Sequence, residues 1–164
     1  MERGLHLSNP GQSGYAWKNG EGLQMDTVRR WGLFYFVLFV GVVAVGYVPG
    51  FEDSQGRLFG LFVLDLYDDS LHLASGLWAG IAALISSRAA RGYFCLFGPL
   101  YLADGVLGLL TGSGYLDGGI FLYGPIDLAL TTRFFANLPH LVIGGLACWI
   151  GYRLARGGAE TAPA

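Results

Sequence analysis

The stretch DSLHLASG, residues 69–76, recurs further along the chain as NLPHLVIG, residues 137–144. In both copies a residue type that commonly caps helix N-termini, Asp69 or Asn137, precedes a histidine by three positions. A glycine follows the same histidine four positions later, which places the two on one face of a helix. Each copy therefore predicts the start of a capped helix with a histidine in its first turn.

The two copies belong to a longer internal repeat with an offset of 68 residues. The offset relates His72 to His140, and it also relates Gly46-Tyr47-x-x-Gly50 to Gly114-Tyr115-x-x-Gly118. Each half is predicted to contain a helix, a Gly-Tyr exit, a long loop and a capped helix. Because each half has an even number of helices, the halves run parallel, and both histidines are predicted at similar depth near the loops.

Composition places the chain among membrane proteins. Its 164 residues are 53% hydrophobic and 13% charged, with a mean hydropathy of +0.47, whereas soluble domains carry about 25% charged residues. The predicted fold is an all-α membrane protein, a four-transmembrane-helix bundle built from two parallel helix-hairpin repeats with long outer loops. Four apolar runs predict the transmembrane helices, at residues 31–48, 71–87, 92–111 and 138–154.

The predicted transmembrane domain, residues 29–156, lies between a polar N-terminal tail, residues 1–28, and a short C-terminal tail, residues 157–164. The first tail has no apolar segment typical of a signal peptide, so the first span is predicted to direct membrane insertion. Eight basic residues lie on the side of the tails and the short turn, against two on the side of the long loops. The positive-inside rule then predicts that both termini lie in the cytoplasm.

The two histidines allow two interpretations. A helix N-terminus disfavours an imidazolium, and a neutral imidazole can ligate haem or another tetrapyrrole, which makes His72 and His140 candidate cofactor-binding residues. Alternatively, each histidine ties its helix to a neighbour, and the small residues that follow let the helix backbones approach closely. Under this second interpretation the bundle core contains these polar and small positions: Asp69, Asn137, Asp104, Gly76 and Gly144.

Asp104 is the carboxylate that falls inside a predicted span, and intramembrane carboxylates are usually functional. It lies 13 residues from Arg91, and His140 lies 13 residues from Arg153. Both arginines are expected at the inner membrane boundary, so Asp104 and His140 should each lie ~20 Å from it. We therefore predict that Asp104 pairs with His140 first, and with His72 second. The pattern predicts neither a catalytic site nor a metal site.

At these motifs the sequence resembles a family of small bacterial four-helix membrane proteins classed only as a domain of unknown function. That family carries Asn-x-x-His-x-x-x-Gly at the start of its second and fourth helices. The copy from Asn137 to Gly144 fits this pattern, with Pro139 unusual, whereas the earlier copy has Asp69 in place of the asparagine. The resemblance covers roughly residues 30–156. It implies the fold and a location in the bacterial inner membrane, but no activity.

The leading functional hypothesis is a non-catalytic accessory or structural subunit of a larger respiratory or photosynthetic membrane complex. Its expected partners are the lipid bilayer and other membrane subunits, and the net charge of −2 argues against nucleic acid. A second hypothesis is an electron-transfer protein that binds haem or another tetrapyrrole through His72 and His140. A third is a small transporter that uses Asp104 as a proton site, although four short spans leave little room for alternating access.

Overall fold

The computed structural model describes residues 25–51, 53–54, 57–60 and 66–154. Most of the predicted N-terminal tail and all of the predicted C-terminal tail lie outside this part of the chain. The described helices are α1, Thr27–Gly46; α2, Leu66–Ile85; α3, Ser87–Thr111; α4, Gly119–Tyr123; and α5, Leu130–Trp149. Helix α5 continues into one π-helical turn, Ile150–Leu154.

Three of these helices are long and apolar enough to cross a membrane, namely α1, α3, and α5 together with its π-helical turn. The chain is therefore a multi-pass membrane protein. Helix α2 has the same length as α1, 20 residues, but it falls outside this group. Its first turn carries Asp68 and Asp69, and charged residues lower the apolar character of a segment.

The long helices pack as two pairs, α1 with α2 and α3 with α5, and α3 also contacts both members of the first pair. Aromatic rings fill the centre where α1 and α3 meet. The Tyr35 and Phe94 rings, for example, lie 5.1 Å apart in an edge-to-face arrangement, which aromatic pairs prefer. We call this group the aromatic core, and its buried members are Tyr35, Phe39, Tyr93, Phe94, Phe97 and Tyr101.

Arginine side chains join helix ends to their neighbours. Arg29 of α1 donates from Nε to the Ala83 carbonyl near the end of α2 at 2.6 Å. Arg133 of α5 donates from Nη1 to the Leu110 carbonyl near the end of α3 at 3.0 Å. The last carbonyls of a helix lack intrahelical partners and carry partial negative charge, so a guanidinium stabilises them.

The four long helices begin before the predicted apolar runs. Helix α5 begins at Leu130 and α2 at Leu66, which are earlier than the predicted starts at 138 and 71. Helix α3 begins at Ser87, because the Ser86 side chain accepts a hydrogen bond from the Ala89 amide at 3.1 Å and caps it. An apolar run marks only the part of a helix that lies in hydrocarbon, whereas the backbone hydrogen bonds continue into the polar interface.

The predicted helix-capping roles of Asp69 and Asn137 are wrong. Asp69 lies in the first turn of α2, where an acidic side chain complements the positive end of the helix. Asn137 lies well inside α5, and its Nδ2 donates to the Arg133 carbonyl one turn earlier at 2.8 Å. Pro139, which the capping scheme placed in a first turn, is consequently in the middle of the helix.

Candidate functional site

Asp104 is a buried side chain that forms three hydrogen bonds in the bundle interior. Its side chain is buried, with only 2% exposed. One carboxylate oxygen, Oδ1, accepts from the backbone amides of Tyr115 at 2.6 Å and Leu116 at 2.9 Å. These donors lie in the connection that follows α3, so Asp104 holds that connection against the helix.

The other oxygen, Oδ2, pairs with Nδ1 of His140 at 2.7 Å, and this confirms the predicted Asp104–His140 pair. An ionised carboxylate only accepts hydrogen bonds, so Nδ1 carries the hydrogen of this pair. In the neutral ring Nε2 is then the acceptor, and it has no hydrogen-bond partner among the described residues. The carboxylate thus fixes both the tautomer and the orientation of the imidazole.

Tyr101 extends this pair toward α2. Its ring lies 5.2 Å from the His140 ring in an edge-to-face contact. Its hydroxyl lies 3.3 Å from the Ser75 hydroxyl in a buried contact. We call Ser75, Tyr101, Asp104 and His140 the polar cluster. It crosses from α2 through α3 to α5 and shares Tyr101 with the aromatic core.

His72 lies at the edge of the polar cluster rather than within it. The Phe39 ring lies 5.7 Å from the His72 ring and 5.6 Å from Tyr101, so ring contacts connect the two histidines through Phe39 and Tyr101. Nδ1 of His72 is buried and has no hydrogen-bond partner in the described part of the chain. Asp104 therefore pairs with His140, the first predicted partner, and not with His72, the second.

Neighbouring helices occupy the space beside the two glycines that follow the histidines. A Cβ added to Gly76 would lie 3.0 Å from the Phe39 Cβ of α1. A Cβ added to Gly144 would lie 2.9 Å from the Leu102 Cα of α3 and 2.9 Å from the Tyr101 carbonyl carbon. Both glycines thus serve close helix contact.

Asp69 lies away from the polar cluster, although it was predicted as a bundle-core residue. It accepts a hydrogen bond from the Tyr47 hydroxyl at 2.8 Å in an exposed position. This hydrogen bond raises the pKa of Tyr47, because the neutral phenol is the donor. Asn137, by contrast, is buried and contacts Gly108 of α3, so it does belong to the interior.

Several members of the site were missed by the sequence interpretation. Ser75 and Tyr101 do not stand at a distinctive spacing in the sequence. Tyr115 and Leu116 contribute backbone amides, which the residue type does not reveal. The α3 glycines Gly98, Gly105 and Gly108, which face α5, could have been found from their small-residue spacing along one helix.

The described residues contain no group of three or more histidine, cysteine or acidic side chains that could hold a metal ion. A shallow apolar groove of about 470 Å³ runs along α3 and reaches Cys148 of α5. It is lined by Pro99, Leu102, Ala103, Val106, Leu107, Leu110 and Cys148.

The geometry therefore supports a role for Asp104 in holding the connection after α3 and in positioning His140. Asp104 accepts three hydrogen bonds from the protein itself, and its orientation of His140 leaves one ring nitrogen as an acceptor. That nitrogen could accept a proton or bind an electrophile such as a metal centre.

The sequence model of one protein family, described as a domain of unknown function (DUF4383), matches residues 29–127. The matched region includes all of α1 except its first two residues, α2 to α4 and the first copy of the repeated motif, and it ends before α5. Neither a curated protein nor a solved structure shows significant similarity to the chain.

Proposed function

The chain belongs to the DUF4383 family, and from the geometry of its interior we propose that it is a non-catalytic accessory or structural subunit of a larger membrane complex. The observation that carries the proposal is the engagement of both carboxylate oxygens of Asp104. Its two oxygens accept from two backbone amides and from His140, so the intramembrane carboxylate is used to hold the protein's own parts together. A respiratory or photosynthetic complex is the kind of assembly we propose.

We further propose that α2 is a fourth span, which gives a four-helix bundle made of two parallel hairpin repeats. The pairing of α1 with α2 and of α3 with α5 supports this arrangement. So do the equivalent glycines Gly76 and Gly144, which both lie at a close contact with the helix paired to their own.

We propose that the loop-bearing end of the bundle faces outward and both termini face the cytoplasm of a bacterial cell. Ser54 and Ser87 are exposed serines at opposite ends of the bundle. In a background with Cys95 and Cys148 changed to alanine, S54C should react with an impermeant thiol reagent added to intact cells, and S87C should react only after lysis. Labelling of S87C alone would reverse the orientation.

The subunit proposal is tested by native mass and visible absorption after purification from native membranes in a mild detergent. We expect the chain to run with other membrane proteins in a fixed ratio and to show no Soret band. Cross-linking in intact membranes, before detergent is added, separates native partners from chance association. A chain that is only monomeric under both conditions would contradict the proposal.

A tetrapyrrole-binding electron carrier is the second candidate. It is favoured by the orientation of His140, whose Nε2 is free of hydrogen bonds among the described residues, and by the unpartnered Nδ1 of His72. A Soret band that is lost in both H72A and H140A would support the carrier. The close packing at Gly76 and Gly144 favours the subunit instead, and the engagement of Asp104 argues against a transporter with a free proton site.

A further inference from the structure

The connection that follows α3 is unusually apolar for a loop. Residues 112–126 read GSGYLDGGIFLYGPI and contain a single charged residue, Asp117. The Asp117 side chain accepts a hydrogen bond from the Gly119 amide at 2.9 Å, so its carboxylate is used within the connection. The exposed side chains at its middle are large and apolar, with Phe121 81% and Leu122 65% exposed.

Both ends of this connection meet at the end of α3. The chain turns at Gly112, whose φ of 82° is left-handed. It returns where the Ile126 amide donates to the Thr111 carbonyl at 2.8 Å. The Ser113 hydroxyl donates to the Gly124 carbonyl at 2.8 Å and closes the base. Residues 112–126 therefore leave and rejoin the bundle at one level.

The first part of the connection, at Tyr115 and Leu116, lies well below that level. The Tyr115 and Leu116 amides donate to Asp104, which is seven residues before the end of α3, or ~10 Å along its axis. The Tyr115 hydroxyl reaches further and donates to the Leu100 carbonyl at 2.7 Å. That carbonyl is 11 residues before the helix end, or ~16 Å.

Charged residues place the membrane boundaries on α3. Arg133 is bonded to the Leu110 carbonyl and to Asp127, so a polar layer surrounds Leu110. Arg91 is 19 residues earlier, or ~28 Å along the helix, close to the ~30 Å thickness of bilayer hydrocarbon. Asp104 and the amides that it binds therefore lie roughly 9 Å inside the hydrocarbon layer.

We propose that residues 112–126 form a re-entrant segment, which enters the bilayer beside α3 and presents Phe121, Leu122 and Tyr123 to lipid. Non-helical backbone at membrane depth requires internal hydrogen-bond partners. Asp104 supplies them for the Tyr115 and Leu116 amides, and its role is that of a positioning residue for this segment. The proposal needs the membrane-spanning assignment of α3 and is independent of the subunit proposal and of orientation.

The test is the accessibility of spin labels in the full chain, reconstituted in phosphatidylcholine–phosphatidylglycerol vesicles. Single cysteines are placed at Phe121, at Val106 and at Ser54, with Cys95 and Cys148 changed to alanine. Val106 is a half-exposed position on α3 at nearly the depth of Asp104, and Ser54 is an exposed position in the connection after α1. We expect the F121C label to resemble V106C, with collisions with oxygen exceeding those with a water-soluble nickel chelate.

A nickel accessibility at F121C equal to that at S54C would overturn the proposal, because it would place the segment in water. Low accessibility to both reagents would overturn it as well, because it would show a protein contact in place of lipid. D104A should shift the F121C label toward the nickel reagent and leave V106C unchanged. If D104A fails to fold, Y115F, which removes only the contact with Leu100, serves as the second variant and should give a smaller shift of the same sign.

Discussion

The two copies of the histidine motif have different surroundings. His140 is bonded to Asp104, whereas Nδ1 of His72 has no partner within the described residues. The repeat offset of 68 relates Asp104 to Phe36, and Phe36 packs against Gly80 of α2. The first half therefore has an aromatic ring where the second half has a carboxylate.

The difference extends to the connections that follow α1 and α3. In the second half Asp104 holds the backbone of Tyr115 and Leu116 inside the bundle. In the first half the equivalent tyrosine, Tyr47, is exposed and bonds to Asp69 through its hydroxyl. The same sequence pattern thus gives two different halves. In the second half a carboxylate holds the connection, and in the first half the equivalent position is apolar. Four measurements can test this difference.

The largest expected effect is that of D104A on the free energy of unfolding, measured by titration from mild detergent into SDS. The change leaves two amides and the His140 N–H without an acceptor. Each buried group left unpaired should lower the unfolding free energy by about 1–3 kcal/mol. Combined with H140A, the loss should be smaller than the sum of the two single losses, since contacting residues are coupled. Combined with H72A, the losses should add. Additive losses with H140A would show that the pair contributes no coupling.

The next effect comes from the paired glycines. G144A should cost about 1–3 kcal/mol of unfolding free energy, because its new methyl group meets α3 backbone that must shift. G76A should cost less, since its methyl group meets the Phe39 side chain at 3.0 Å. G145A is the matched control, because nothing lies within 4 Å of an added Cβ there. Equal losses in G144A and G145A would mean that the α3–α5 contact is looser than described.

A smaller effect separates the two equivalent tyrosines. Y115F removes the hydrogen bond to the Leu100 carbonyl and should lower the unfolding free energy by about 1 kcal/mol. Y47F should change it less, because the Tyr47 side chain is exposed and water can replace the lost partner, whereas Tyr115 is half-buried. If Y47F proves the more costly variant, the first connection is held as firmly as the second.

The smallest effect is the pH dependence of the Tyr47–Asp69 hydrogen bond in the first half. The folded pKa of Tyr47 lies above its ordinary value of 10.0 because of the bond to Asp69. Its contribution to stability is therefore present below pH 10 and is lost as the pH rises through the raised pKa. Thermal melts of wild-type protein and Y47F across this range should converge at high pH. Melting curves whose difference stays constant with pH would show that the bond does not form in solution.

Part of the candidate site was predictable from local pattern. The apolar runs indicated the helices, and the arithmetic of residues from Arg91 and Arg153 predicted the Asp104–His140 pair, because rise per residue is nearly constant in a helix. The capping roles of Asp69 and Asn137 could not be judged in this way. Where a helix starts depends on neighbours as well as on a local cap, as with α5, whose first turns extend toward the end of α3.

The sequence by itself determined that this is a helical membrane protein, approximately where its apolar helices lie, and that Asp104 and His140 lie level on neighbouring helices. Those properties follow from hydrophobicity and from helix geometry, which are local. The tertiary structure alone decided which histidine received the carboxylate, which amides Asp104 accepts from, and which helices fill the space beside each glycine. Those contacts join residues far apart in sequence, and their formation depends on how the helices rotate and pack against one another.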